Sequence, residues 1–302
     1  MYGLLLAAAG GCTDSHVADG PQFTNQLVRA DIDAVSLAVD GDGEVLWAQR
    51  STGVIRRLSD GTQVARVEVG AEGQRGLLGL AVGPGDEVYA AWTDPSNQLV
   101  VGQVAPGATR IIWAGFVSAT GANGGRLAMA PDGRLVLGVG TIRQSDRVAD
   151  PGTPNGKMLA IDPAGPPSQN PETLSSGWNN PFGFAFTDAG QLWVADNHPS
   201  DGEERLARGD LAGASVDSVP HAVLPFDSAP SGVAAVAGRI YVCSFTTGSL
   251  YRYEMAGDAS GGGGIAQRAG TVADDCRFDV VAMPDGSLLY LADDEIRRIE
   301  GH

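Results

Sequence analysis

The sequence predicts an all-β protein, a six-bladed β-propeller. One pattern recurs along the chain: a short apolar strand, a turn rich in Asp, Gly and Pro, and a second apolar or aromatic strand. Its six copies begin at Ser36, Leu78, Arg126, Phe182, Ser231 and Phe278, a spacing of 42 to 56 residues that suits a propeller blade. No stretch shows the periodicity of an amphipathic helix of three or more turns.

Each copy predicts a β-hairpin, and a third strand follows most of them. The six hairpins are expected at residues 36–49, 78–92, 126–140, 182–197, 231–245 and 278–294. The third strands are expected at 53–58, 99–104, 156–162, 248–255 and 294–300. Proline and polar residues predict an insertion between blades at 162–177, and glycines predict a flexible loop at 257–270.

We expect two parts along the chain: an N-terminal segment at residues 1–29 and the propeller at 30–300. The segment opens with MYGLLLAAAGGC, an apolar run and small residues that end at Cys12. This resembles the end of a bacterial lipoprotein signal, in which the cysteine carries the lipid. The interpretation predicts an extracytoplasmic protein that is anchored through Cys12. The alternative is a frayed segment with a chance cysteine.

The net charge of −16, from 36 acidic and 20 basic residues, argues against nucleic acid as a partner. We expect a sugar or another small polar ligand at the loop face instead. Cys243 and Cys276 stand in successive repeats, so an oxidising compartment would allow a disulfide between them. Two buried free thiols are the alternative.

Several segments, in order, resemble the glucose/sorbosone dehydrogenase family of six-bladed propellers. They include GQRGLLGLAV at 73–82, NGGRLAMAPDGRL at 123–135, NNPFGFAFTDAGQLWVADN at 179–197 and RFDVVAMPDGSLLYLADD at 277–294. The resemblance covers about residues 30–300. It implies a soluble sugar dehydrogenase that uses pyrroloquinoline quinone (PQQ) and calcium.

The chemistry of such an enzyme requires a base to take the sugar proton, cations for the quinone carboxylates, and calcium to polarise the quinone. The resemblance places the base at Ala122, which cannot accept a proton. It places two arginines of the family pattern at Asn179 and Phe278. Sugar oxidation is therefore expected to be impaired or lost, as in a pseudoenzyme.

Other positions keep polar side chains. By resemblance, Gln74, Arg126, Asn179 and Asn180 are the candidates for binding a cofactor, and Asp196, Glu203 and Glu204 are the candidates for binding calcium. The four histidines are His16, His198, His221 and His302. Only His198, in ADNHPSDGEE, is expected on a loop at the tunnel mouth, so it is the candidate replacement base.

Three functions remain open from the sequence. The first is a sugar dehydrogenase with a working or altered PQQ site. The second is a non-catalytic binding module at the cell surface. The third is a lactonase-like hydrolase whose metal is held by carboxylates and by the asparagines Asn123, Asn179, Asn180 and Asn197.

Overall fold

The computed structural model describes residues 23–198, 202–211, 213–256 and 265–301. Within these ranges the chain forms 25 strands in six sheets, two short 3₁₀ turns (Ser145–Arg147 and Val216–Ser218) and no α-helix. The predicted all-β fold with six blades is confirmed. In the same ranges we find no helix with the length and apolar character needed to span a membrane.

The strands alternate with short turns along the whole chain. Numbered in chain order, they are β1 (Thr24–Arg29), β2 (Ser36–Val39), β3 (Val45–Ala48), β4 (Val54–Arg57), β5 (Gln63–Arg66), β6 (Leu77–Val82), β7 (Val88–Thr93), β8 (Gln98–Ala105), β9 (Ala108–Val117), β10 (Gly124–Met129), β11 (Leu135–Val139), β12 (Lys157–Ile161), β13 (Glu172–Ser176), β14 (Gly183–Phe186), β15 (Leu192–Asp196), β16 (Arg205–Arg208), β17 (Ala214–Ser215), β18 (His221–Val223), β19 (Pro230–Val236), β20 (Arg239–Ser244), β21 (Leu250–Ala256), β22 (Ile265–Ala273), β23 (Val280–Ala282), β24 (Leu288–Leu291) and β25 (Ile296–Glu300).

Each blade is an antiparallel sheet whose first strand is innermost. From the inside outwards the blades are β2–β5, β6–β9, β10–β13, then β14, β15, β16 and β18, then β19–β22, and finally β23, β24, β25 and β1. The short strand β17 adds to the outer edge of blade 3 by pairing in parallel with β13. Strand β1 completes blade 6 because Thr24 pairs with Glu300 and Leu27 pairs with Arg297.

The innermost strands form a closed ring around a channel. Each innermost strand contacts the next, and β23 contacts β2. Six buried apolar clusters lie between neighbouring blades. Trp47, Trp92, Trp113, Trp178 and Trp193 each belong to a different cluster, and large aromatic side chains contribute much of the apolar area that holds two sheets together.

The six predicted hairpins and the five predicted third strands are present. Three expected segment boundaries differ from the structure. The segment 162–177 contains β13, and β22 begins at Ile265 inside the expected loop 257–270. The propeller also includes residues 24–29, which the sequence assigned to the N-terminal segment. Cys12, His16 and His302 lie outside the described residues.

Cys243 and Cys276 form a disulfide with a Cα–Cα distance of 5.2 Å. Cys243 is on β20 in blade 5, and Cys276 precedes β23 in blade 6. Both residues are buried in the cluster between these blades. The covalent bond therefore joins two neighbouring blades beside the segment that contains Phe278 and Asp279.

Candidate functional site

Two adjoining cavities open at one end of the channel. The larger, which we call the mouth cavity, has a volume of about 390 Å³ and is lined by Val35, Arg50, Gly73, Gln74, Leu78, Asn123, Gly124, Asn180, Phe182, Asn197, Ala229, Pro230, Ser231, Phe245 and Phe278. The second, the side cavity, has a volume of about 370 Å³ and is lined by Gln74, Gly121, Ala122, Thr141, Arg143, Ser145, Asn179, Asn180, Asn197 and His198. They share Gln74, Asn180 and Asn197. Both lie in the volume range typical of ligand sites.

Ala122 is held in the wall of the side cavity by its backbone. Its N–H donates to Gln74 Oε1 at 2.8 Å, and its carbonyl accepts the Ile142 N–H at 2.8 Å. Its φ of 55° lies in the left-handed region, which is uncommon for alanine. Gln74, expected to bind a cofactor, lines both cavities and also fixes the backbone of the residue at which the family resemblance places a base.

His198 lines the same side cavity as Ala122, on the loop that follows β15. Its imidazole lies against Gly202, where an added Cβ would come within 1.6 Å of Nδ1. Only glycine at 202 allows the ring to take this place. Among the residues that line the two cavities, His198 is the one imidazole, and none is a carboxylate.

Asn179 and Asn180 are positioned by a buried carboxylate. Asp196 accepts the backbone N–H groups of Asn179 at 3.0 Å and Asn180 at 2.8 Å, and it pairs with Arg205 at 3.2 Å. Burial raises the pKa of the Asp196 carboxyl, whereas Arg205 and the two N–H groups act in the opposite direction. The Asn180 side-chain oxygen accepts the Gly124 N–H at 3.0 Å.

Arg126 does not offer its guanidinium to a ligand, although the sequence made it a cofactor candidate. Its Nη1 donates to Asp279 Oδ2 at 2.7 Å, and both side chains are buried. The four other N–H groups donate to the carbonyl oxygens of Phe182, Val35, Ser231 and Phe278. All five donors of the guanidinium are therefore used within the protein. Arg126 is a structural residue that links blades across the channel.

The described residues do not assemble the calcium site expected at Asp196, Glu203 and Glu204. Asp196 already accepts from two backbone N–H groups and from Arg205. Glu204 is buried and accepts the N–H groups of Ser228 at 2.8 Å and Ala229 at 2.9 Å, while Glu203 is exposed. In the described ranges no group of three or more His, Cys, Asp or Glu side chains is arranged to hold a metal. Asp196 and Glu204 thus use their carboxylates to hold backbone N–H groups of neighbouring segments.

Sequence reasoning missed Arg143, which lines the side cavity. Arg143 is exposed and makes no hydrogen bond or ion pair with another described residue. Arg143 and its neighbour Ile142 have positive φ values of 59° and 48°. Such backbone conformations are costly for residues other than glycine and tend to occur at functional sites. The signal available in the sequence was an arginine in the loop that follows β11, the second strand of blade 3.

Sequence reasoning also missed Phe245, which follows β20 and lines the mouth cavity. Its ring centroid is 5.5 Å from that of Phe278. Arg277 lies beside this pair and donates to the carbonyl oxygens of Phe245 and Thr246 at 2.7 and 2.8 Å. The mouth cavity therefore has an aromatic wall, and Arg277 holds the backbone of Phe245 in place.

Comparison with known proteins places the fold among sugar dehydrogenases. Residues 33–207 match the family described as Glucose / Sorbosone dehydrogenase. An oxidoreductase from Thermus thermophilus, described as a glucose dehydrogenase, has 23% identity and a TM-score of 0.79 over 92% of this chain and 100% of its own. The PQQ-bound aldose sugar dehydrogenase from Streptomyces coelicolor has 21% identity and a TM-score of 0.73, over 94% and 100%. The apo form of the soluble aldose sugar dehydrogenase from Escherichia coli has 18% identity and a TM-score of 0.78, over 93% and 100%. A search of the curated proteins found no match.

Proposed function

The chain belongs to the glucose/sorbosone dehydrogenase family, and we propose that it binds a sugar-like ligand at the channel mouth with impaired PQQ-dependent sugar oxidation. The match covers more than half of the chain and bears out the family resemblance of the sequence. The likeness to the solved structures supports the same fold. The proposal of impaired oxidation rests on the residues of the two cavities.

One observation carries this proposal: a methyl group stands where the family resemblance places the base. Ala122 lines the side cavity, and Gln74 holds its backbone in place. A general base typically contributes about 10²- to 10⁴-fold to a rate, so its loss alone would leave slow turnover. His198 shares the cavity and is the candidate for the residual proton transfer.

The described residues do not fit a calcium–PQQ pair. Asp196 and Glu204 direct their carboxylates to backbone N–H groups, so they are poor candidates for calcium ligands. PQQ carries several carboxylates, but the arginines that line the cavities are Arg50 and Arg143. Arg50 already donates to the carbonyls of Gly73 and Arg75. Since the relative from Streptomyces coelicolor is PQQ-bound, PQQ remains the first cofactor to test.

A non-catalytic binding module at the cell surface is the second candidate. The alanine at position 122 favours this function too, because binding a ligand needs no base. The Cys243–Cys276 disulfide supports an extracytoplasmic location, since disulfides persist in oxidising compartments. A lipid anchor through Cys12 belongs to this proposal and is testable by mass spectrometry of the membrane-bound protein. A metal-dependent hydrolase gains no support from the described carboxylates.

The test is a titration of the purified protein with PQQ, with and without calcium, followed by dye reduction with a panel of aldoses. We expect weak PQQ binding that calcium does not strengthen, and slow dye reduction. Ala122→His should raise the sugar-dependent rate at saturating PQQ, whereas the control Ala122→Gln should not. Fast calcium-dependent reduction by the unaltered protein would overturn the proposal.

A further inference from the structure

The mouth cavity presents an aromatic wall that no described residue of the chain covers. Phe245 and Phe278 line it with rings at an interplanar angle of 57°, and Phe245 is 49% exposed. Leu78 and Pro230 extend the same apolar lining. Exposed aromatic rings inside a preformed cavity favour a ligand with a flat apolar face.

The same cavity contains a buried acceptor without a partner. Asn123 is 2% exposed, and its side-chain N–H₂ donates to the Ala119 carbonyl at 2.8 Å. Its Oδ1 has no hydrogen-bond partner among the described residues. An unpaired buried acceptor is unfavourable, so Asn123 is a lining residue that would gain a hydrogen bond if the cavity wall adjusts around a ligand hydroxyl.

The side cavity has a different chemistry. Its walls carry the amides of Asn179, Asn180 and Gln74 together with Arg143 and His198. The oxygens of Gln74 and Asn180 already accept the N–H groups of Ala122 and Gly124, so these two amides offer their N–H₂ groups to the oxygens of a sugar. Since Asn123 lines the mouth cavity and its neighbour Ala122 lines the side cavity, residues 122–123 stand where the two cavities meet.

We propose that the two cavities together bind an aryl hexoside, with its aromatic ring against Phe245 and Phe278 and its sugar in the side cavity. This inference rests on the proposed function, since it takes the channel mouth as a ligand site, and it names the ligand. A hexoside has no free hydroxyl at C1. Its binding therefore needs no base at residue 122, and no bond is made or broken.

The test is calorimetric titration of the whole protein with p-nitrophenyl β-D-glucopyranoside, methyl β-D-glucopyranoside and p-nitrophenol, without PQQ or dye. We expect the aryl hexoside to bind roughly 10-fold more tightly than the methyl hexoside, because ring contacts add about 1.4 kcal/mol. Phe245→Ala should remove this difference. Phe226→Ala is the matched control, since Phe226 is 81% exposed and does not line the cavity.

Arg143→Gln tests the polar half of the site. Arg143 has no partner to lose among the described residues, so the variant should fold normally and weaken both hexosides while leaving p-nitrophenol unaffected. Equal binding of the two hexosides, equal effects of Phe245→Ala and Phe226→Ala, or no binding at millimolar concentrations would overturn the proposal. These outcomes leave the dye-reduction result untouched, so failure of this inference is distinct from failure of the proposed function.

Discussion

Arg126 Nη1 lies 2.7 Å from Asp279 Oδ2, although the two residues are 153 positions apart and belong to opposite blades. Arg126 is on β10 of blade 3, and Asp279 directly precedes β23 of blade 6. Asp279 Oδ2 also accepts the Leu37 N–H at 2.8 Å, and this adds blade 1 to the contact. The ion pair thus ties three blades together at the axis of the propeller.

We expect Asp279→Asn to lower the free energy of unfolding by roughly 3–5 kcal/mol, because it leaves the buried Arg126 charge uncompensated. Urea denaturation measures the effect. The control is Arg134→Ala, which removes the exposed pairs with Asp132 and Glu172 and should cost less than about 1 kcal/mol. Equal losses for the two variants would contradict a structural role for the buried pair.

Glu204→Gln should destabilise the protein by roughly 1.5–3 kcal/mol, because the carboxylate accepts N–H groups from Ser228 and Ala229 in a buried position. Thermal unfolding monitored by circular dichroism measures the loss. Glu203→Gln is the control: this neighbour is exposed, and we expect a change within about 0.5 kcal/mol. If Glu204 held calcium instead, a chelator would lower the melting temperature of the unaltered protein by a similar amount. We expect a chelator to leave it unchanged.

Removal of the disulfide by Cys243→Ala with Cys276→Ala should cost about 3–4 kcal/mol, since the bond closes a loop over a sequence separation of 33 residues. Urea denaturation with and without reductant measures this in the unaltered protein. The double variant serves as the control, because reductant should have no effect on it. Peptide mapping without reduction that finds both thiols free would show the bond to be absent.

Tyr253 should make the protein less stable in alkali. Burial raises the pKa of Tyr253 to about 12, whereas the phenol of an unfolded chain ionises near pH 10. The unfolded state therefore loses the proton first. The stabilisation is complete below pH 10 and falls by roughly 2–3 kcal/mol as the pH rises to 12.

The measurement for Tyr253 is urea denaturation at pH 8 and pH 11. Tyr253→Phe should lose less stability over this interval than the unaltered protein. At pH 8 the variant should be at least as stable, since the Tyr253 hydroxyl has no hydrogen-bond partner in the described part of the chain. An identical alkaline loss in both proteins would assign it to other tyrosines.

The blades were predictable from sequence because each hairpin is local. The turn at residues 131–133, Pro-Asp-Gly, joins strands that pair immediately on either side, and its Gly133 has a φ of 84°. The role of Arg126 was not predictable, since its partners come from four distant segments of the chain. The expected calcium site failed for a similar reason. The sequence shows that Asp196 and Glu204 are acidic, but it does not show which way their carboxylates face.

The candidate site was also only partly predictable from the sequence. The substitution at Ala122 and the presence of Phe278 were visible in the sequence, because both stand in segments that resemble the family. Arg143 and Phe245 were not visible, because their importance comes from loops of different blades that meet at one mouth. The unpaired oxygen of Asn123 is a property of packing alone.

The pairing of β1 with β25 constrains how the protein can be made. A ribosome delivers β1 early, yet the strand has no partner until Ile296–Glu300 has emerged. At about 5–20 residues per second, that delay is on the order of 10 to 50 s. During this time blade 6 is incomplete, and an unpaired strand edge is open to pairing with other chains. Assembly of the ring therefore cannot finish before β25 has emerged, and a chaperone that shields β1 during the delay would raise the yield of folded protein.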